Sequence, residues 1–273
     1  MLGKLMKYDL RYCLRRLGPL WIAAVALSII SGLYFNFVHR LQGDRGFILN
    51  LFITLLPVML FGIFVAIIVL TLMFVCGRFY KGLLGDEGYL MHTLPVTAEA
   101  HIASKGLTAL ILQAGSSIVA LLCAVLVPVT FQPVELAKGW GELLEMLRGL
   151  DFPAVTPLLI LEALLLVIAM TAAETLKIYA AISLGHLAKR HRVLYAILAY
   201  VGIDVVLNII IGAGASTSLI TRMLGNFEWA SFSGSGTGVI AGAMGSVILW
   251  ELLIGTAFFF ITRAILKNRL NLE

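Results

Sequence analysis

The sequence predicts an all-α integral membrane protein with six transmembrane helices, and three observations predict it. Hydrophobic residues make up 60% of the 273 and charged residues only 13%, where soluble domains average about 25% charged. Mean hydropathy is +1.00, so lipid must cover apolar surface that a fold of this length cannot bury. The apolar residues also gather into runs long enough to cross a bilayer core of about 30 Å, which takes roughly 20 residues of helix.

The expected spans are Pro19–Val38, Ile53–Gly77, Leu107–Val129, Ala154–Lys177, Val193–Ile211 and Val239–Thr262. The second and third are the clearest. No charge falls between Arg45 and Arg78, or between Lys105 and Glu135. Lysine and arginine placement then orients the chain, because basic residues concentrate in cytoplasmic segments. With both ends inside, 14 of the 20 lysines and arginines lie in inner segments and five (Arg40, Arg45, Lys138, Arg148 and Arg222) lie outside. Lys177 is placed at a membrane end. This asymmetry accounts for the net charge of +5 without nucleic acid as a partner; membrane lipids are the expected surroundings. The chain reads as one transmembrane domain over residues 1–273, multi-pass, in a plasma membrane, with both termini cytoplasmic.

Four segments outside the spans have their own character. Residues 1–17 form a basic amphipathic helix: Leu2, Leu5, Met6, Leu10, Cys13, Leu14 and Leu17 recur at helical spacing, with Lys4, Lys7, Arg11 and Arg15 on other faces. Such a helix lies in the interface with its cations near anionic headgroups. Residues 131–153 form an outer amphipathic segment with a stripe of Leu136, Trp140, Leu143, Leu144, Leu147 and Leu150. Residues 212–238 are apolar first and rich in glycine and serine after, which suits an outer or re-entrant segment. Residues 78–106, between the second and third spans, are an inner connection too long for a turn. Within it Asp86–Thr93 suits a short helix ending ahead of Pro95. Thr97 can cap a helix starting at Ala98, with Glu99 in its first turn.

Chemistry-bearing motifs are few. The sequence holds no GxxxxGK[ST] phosphate loop, no HExxH and no GxSxG turn, so catalytic, cofactor and metal residues are not expected. Cys13, Cys76 and Cys123 read as small buried hydrophobes. Ionisable and polar residues within spans are the other candidates: Glu162, Glu174, Lys177, Asp204, Asn208 and Glu251. A charge at mid-bilayer costs about 2.5–3.5 kcal/mol on insertion scales, so these should face partners or water. Glu174 and Lys177, three apart, can pair on one helix face. Asn208, one turn after Asp204, can share a hydrogen bond with it. Gly238 and Gly242 form a GxxxG that permits close helix contact.

The inner connection reads RFYKGLLGDEGYLMHTLPVTAEAHIASKG. With Glu87, Gly88, Leu90, Leu94, Pro95, Ser104 and Lys105 it resembles the region between the second and third spans of type-2 ABC exporter permeases. The wording is most similar to a bacterial, mainly Gram-positive, branch. The resemblance covers about thirty residues in sequence and the whole chain in layout. It implies a coupling helix in which Asp86, Glu87, Tyr89, Leu90, Leu94 and Pro95 meet a cytoplasmic ABC ATPase subunit. It implies ATP and Mg on that ATPase and none on this chain, which is then not itself an enzyme. It also implies a second permease copy or a related permease. The alternative reading is a self-contained secondary transporter or channel using Asp204 or Glu251.

Overall fold

The computed structural model describes residues 2–40, 47–84, 97–131, 138, 139, 141, 142, 145, 157–188, 190–216 and 236–268. The described residues are helical, without strands. Helix α1 is Leu2–Arg40 and α2 is Phe47–Phe79, followed by a π-helical turn at Tyr80–Leu84. Then come α3, Ala98–Phe131, α4, Pro157–His186, α5, Arg192–Ser216, and α6, Gly236–Asn268. Among the described residues, six helices are long and apolar enough to cross a membrane. That is consistent with a multi-pass membrane protein and matches the six expected runs.

The ends differ from the sequence reading in three places. The amino-terminal segment is not a separate helix. Residues 2–40 form one helix that passes through Pro19 without a break, at 39 residues about 58 Å long. Proline costs a helix the hydrogen bond to the carbonyl four residues back. Here that carbonyl belongs to Arg15, at the polar start of the apolar run, where water can serve it. The fourth helix runs on to His186, so Lys177 lies well inside it. The fifth continues to Ser216 and the sixth starts at Gly236, which narrows the connection between them. Of the segment 131–153, expected to be outer and amphipathic, Lys138, Gly139, Gly141, Glu142 and Glu145 are helical and exposed; its leucine stripe lies outside the described residues.

The chain divides into two compact units. The first comprises Gly3–Val75 and Ile111–Leu150, hence most of α1 and α2 and the later part of α3. Its core contains two clusters: Cys13, Leu17 and Leu112, and Ala24, Ile67 and Cys123. Two of the three cysteines are thus the small buried hydrophobes expected. Thr71 and Ser116 share a 2.7 Å hydrogen bond inside it. The Asn36 amide donates to the Phe131 carbonyl at 2.6 Å, at the last turn of α3 where helical donors have run out. A side chain at Gly32 would collide with Thr130 and the Val127 carbonyl, so glycine sets how closely α1 and α3 approach.

The second unit comprises Met1–Leu2, Cys76–Leu110 and Asp151–Glu273. Here α4 packs against both α5 and α6. Helices α4 and α5 are antiparallel and joined through His191, whose left-handed backbone (φ 57°) closes the turn. At Gly185 a Cβ would collide with the backbone of Ala196. The buried stripe of α4 is Ala169, Ala173, Lys177, Ala180 and Ala181. Its small residues let neighbouring helices come close: a Cβ at Gly255 of α6 would touch Ala173 at 3.5 Å. A lysine sits in the middle of this stripe, which brings charge into a tight helix contact.

Candidate functional site

Charged side chains of two helices, α4 and α5, meet at Lys177. Its ammonium lies 2.6 Å from Glu174 Oε2, one turn back on α4, and 2.6 Å from Asp204 Oδ1 on α5. The Tyr200 hydroxyl, one turn before Asp204, donates to Glu174 Oε1 at 2.5 Å. The ammonium also lies 4.8 Å from the centre of the Tyr200 ring, a cation–π distance. Glu251 on α6 is close enough to feel the charges of Glu174 and Lys177.

The register of the α4–α5 hairpin makes this possible. Gly185 meets Ala196 near the turn, and moving eight residues from it in each direction brings Lys177 opposite Asp204. Lys177 is nine residues from the end of α4 and Asp204 twelve from the start of α5. At 1.5 Å per residue those are about 14 and 18 Å along the two helices from the turn that joins them. Lys177 was expected at the inner boundary; α4 continues nine residues beyond it, to His186.

The sequence reading paired Glu174 with Lys177, and the structure brings them together. It expected Asn208 to bond Asp204. The Asn208 amide does so through the Asp204 backbone carbonyl, at 2.9 Å, while the carboxylate goes to Lys177. It did not anticipate Tyr200, although the four-residue spacing to Asp204 puts both on one face. Glu162 stands apart from the cluster, early in α4, with Oε2 buried and without a hydrogen-bond partner.

The side chain of Lys177 is 10% exposed, while Glu174 and Asp204 are 42% and 38% exposed. The lysine is therefore enclosed and its acids are open on one side. Two carboxylates share one ammonium, so either can take up a proton or swing away while the lysine keeps a partner. That allows both roles weighed for these residues, helix pairing and participation in a transport path.

The coupling candidates Asp86, Glu87, Tyr89, Leu90, Leu94 and Pro95 lie outside the described residues. The chain on either side of them is well packed. Before them, Gly82, Leu83 and Leu84 of the π-helical turn are buried. The Lys105 side chain passes beside Gly82, where a Cβ would sit 3.1 Å from its ammonium. After them, Thr97 caps α3: its carbonyl accepts from Ala100 and His101, and its hydroxyl from Ala100 at 3.4 Å. Tyr179 ties these parts to α4. Its ring stacks on Phe79 with centres 3.9 Å apart, and its hydroxyl donates to the Lys105 carbonyl at 3.1 Å. Glu99, in the first turn of α3, pairs with Arg263 of α6 at 2.6 Å. Sequence reasoning missed Tyr179 and Arg263, since nothing in their local pattern names a partner.

Among the described residues no group of three or more histidines, cysteines, aspartates and glutamates is placed to hold a metal ion. No protein-family model, no curated protein and no solved structure matches this chain.

Proposed function

We propose that this chain is the membrane-spanning permease subunit of an ATP-driven exporter of the type-2 ABC class, forming the substrate path and working with a separate ATPase. One observation carries the reading: the segment with Glu87, Gly88, Leu90, Leu94, Pro95, Ser104 and Lys105 joins two helices of span length, α2 and α3. Its packed flanks support it: Tyr179 ties Phe79, before the segment, to the Lys105 carbonyl, after it. On this reading the ATPase holds ATP and Mg. A second copy or a related permease completes the path, in a bacterial plasma membrane with both ends of the chain cytoplasmic. Asp86, Glu87, Tyr89 and Leu90 transmit the movement.

Interface energy concentrates in a few anchors, often aromatic. Tyr89→Ala is expected to weaken ATPase binding at least about fivefold, or ~1 kcal/mol. Glu87→Lys weakens it further where a basic surface faces it. Neither residue is in a span, so insertion is unaffected. Pull-down of the ATPase, with substrate-stimulated ATP hydrolysis, measures both. Normal binding by both variants, or no ATPase retained by the wild type, would sink the assignment.

A second reading is favoured by the Lys177 cluster: a self-contained secondary transporter or channel with Asp204 or Glu251 as its proton or ion site. Asp204→Asn and Glu251→Gln are expected to leave the protein folded while altering transport in proteoliposomes. Transport driven by an ion gradient without an ATPase would establish this reading over the first. Wild-type transport in both variants would leave these acids a structural role only.

A further inference from the structure

The amino-terminal part of α1 carries a cluster that the proposed transport function leaves unused. Tyr8, Arg11, Tyr12, Arg15 and Arg16 line one concave patch of helix surface. Their spacing of three, four, seven and eight residues after Tyr8 puts them on one face. All five are exposed. The Arg16 guanidinium lies 4.8 Å from the centre of the Tyr12 ring, a contact that holds the charge in place without using any N–H donor. The sole acid of α1, Asp9, is buried at the edge of this face and does not line the patch. The patch therefore presents three positive charges with no acid among its lining residues.

Its chemistry and its depth select the same ligand. Guanidinium forks match the oxygens of a phosphate, and tyrosine hydroxyls add further donors. Arg15 and Arg16 directly precede the uncharged run Leu17–Val38, and Tyr8 lies about 13 Å further out along the helix. The headgroup layer on each side of a bilayer is about 5–8 Å deep. The patch thus starts within that layer, where tyrosine is favoured, and extends just beyond it. A zwitterionic headgroup would bring its own cation against three arginines; an anionic one would not.

We propose that Tyr8, Arg11, Tyr12, Arg15 and Arg16 form a binding site for the phosphate headgroup of an anionic phospholipid. This goes beyond anchoring by scattered cations, because it predicts a lipid retained on one patch.

The test uses the full-length protein in detergent, offered phosphatidylglycerol and phosphatidylcholine in equal amounts, with bound lipid counted by native mass spectrometry. The wild type is expected to retain phosphatidylglycerol preferentially. Arg11→Gln alone should reduce that preference about fivefold, and each further substitution at Arg15 and Arg16 by a similar factor. Arg190→Gln, an exposed arginine elsewhere in the chain, should leave it unchanged. The single Arg11 variant keeps the test valid if the triple variant is poorly folded. No preference in the wild type, or equal losses from Arg190→Gln and Arg11→Gln, would overturn the proposal. Displacement of the lipid by glycerol phosphate at equal concentration would also overturn it, since the site would then read a free phosphate rather than a lipid.

Discussion

Gly185→Leu is expected to give little or no folded protein, the largest effect of any single substitution considered. Overpacking usually costs about 1–3 kcal/mol, because side chains shift to new rotamers. That relief is missing at Gly185, where the atoms a Cβ would strike are the nitrogen and Cα of Ala196. Only separation of α4 from α5 would make room, and separation pulls Lys177 from Asp204. Gly185→Ala should therefore cost at least about 2 kcal/mol, and the leucine more. Gly202→Leu on α5 is the control: a Cβ there meets nothing within 4 Å, so the change should stay within about 0.5 kcal/mol. Unfolding in a denaturing detergent, with the monodisperse fraction by size exclusion, measures all three. A Gly185→Leu protein as stable as Gly202→Leu would show that α4 and α5 do not approach this closely.

Lys177→Leu is expected to be the most damaging change within the charged cluster. Leucine fills much of the lysine stem's space, so the loss is one of charge. Glu174 and Asp204 are then left between α4 and α5 without their shared cation. Removing one partner of a fully buried ion pair costs about 3–5 kcal/mol. Here the two carboxylates are open on one side, 42% and 38% exposed, and a stranded acid can be neutralised by taking up a proton, so about 2 kcal/mol is the expected loss. Asp204→Asn should cost about half of that, since Lys177 keeps Glu174 and the asparagine can still accept a hydrogen bond. The double variant Lys177→Leu, Asp204→Leu should recover part of the loss, because one of the two stranded acids is gone. A double variant less stable than the sum of the two single changes would show that the pair is not what these residues contribute.

The spans could be read from sequence because lipid imposes a simple rule on long stretches, and α2 and α3 obey it without a charge in their cores. Thr97 and the Glu174–Lys177 pair were legible for a similar reason, as both depend on spacing within one helix. The link from Lys177 to Asp204 was not, since it depends on the register between helices. That register follows from where α4 ends, and the sequence ends the apolar run near Lys177, nine residues early. Composition misplaced the end because Tyr179, Ser183 and His186 look like interface residues, yet Tyr179 and Ser183 are fully buried. The amino-terminal helix was split at Gly18 and Pro19 for the opposite reason: two residues that often end helices lie inside one here. The GxxxG of Gly238 and Gly242 permits close contact but does not require it. The close approaches described are at Gly32 and Gly185, because contact depends on which face meets a neighbour and not on a motif alone.

The order of charges along α4 and α5 bears on how the chain enters the bilayer. During synthesis α4 emerges first and brings Glu174 and Lys177 together, a nearly neutral pair on one turn. Asp204 follows 27 residues behind Lys177, in a helix with no basic residue after Arg192 through Ser216. Entering alone, it would meet the insertion cost of about 2.5–3.5 kcal/mol for a bare acid. Entering beside α4, it finds an ammonium already at its own depth. The lysine thus acts as a receptor for the next segment of its own chain, and the hairpin, rather than either helix, is the unit that the membrane accepts.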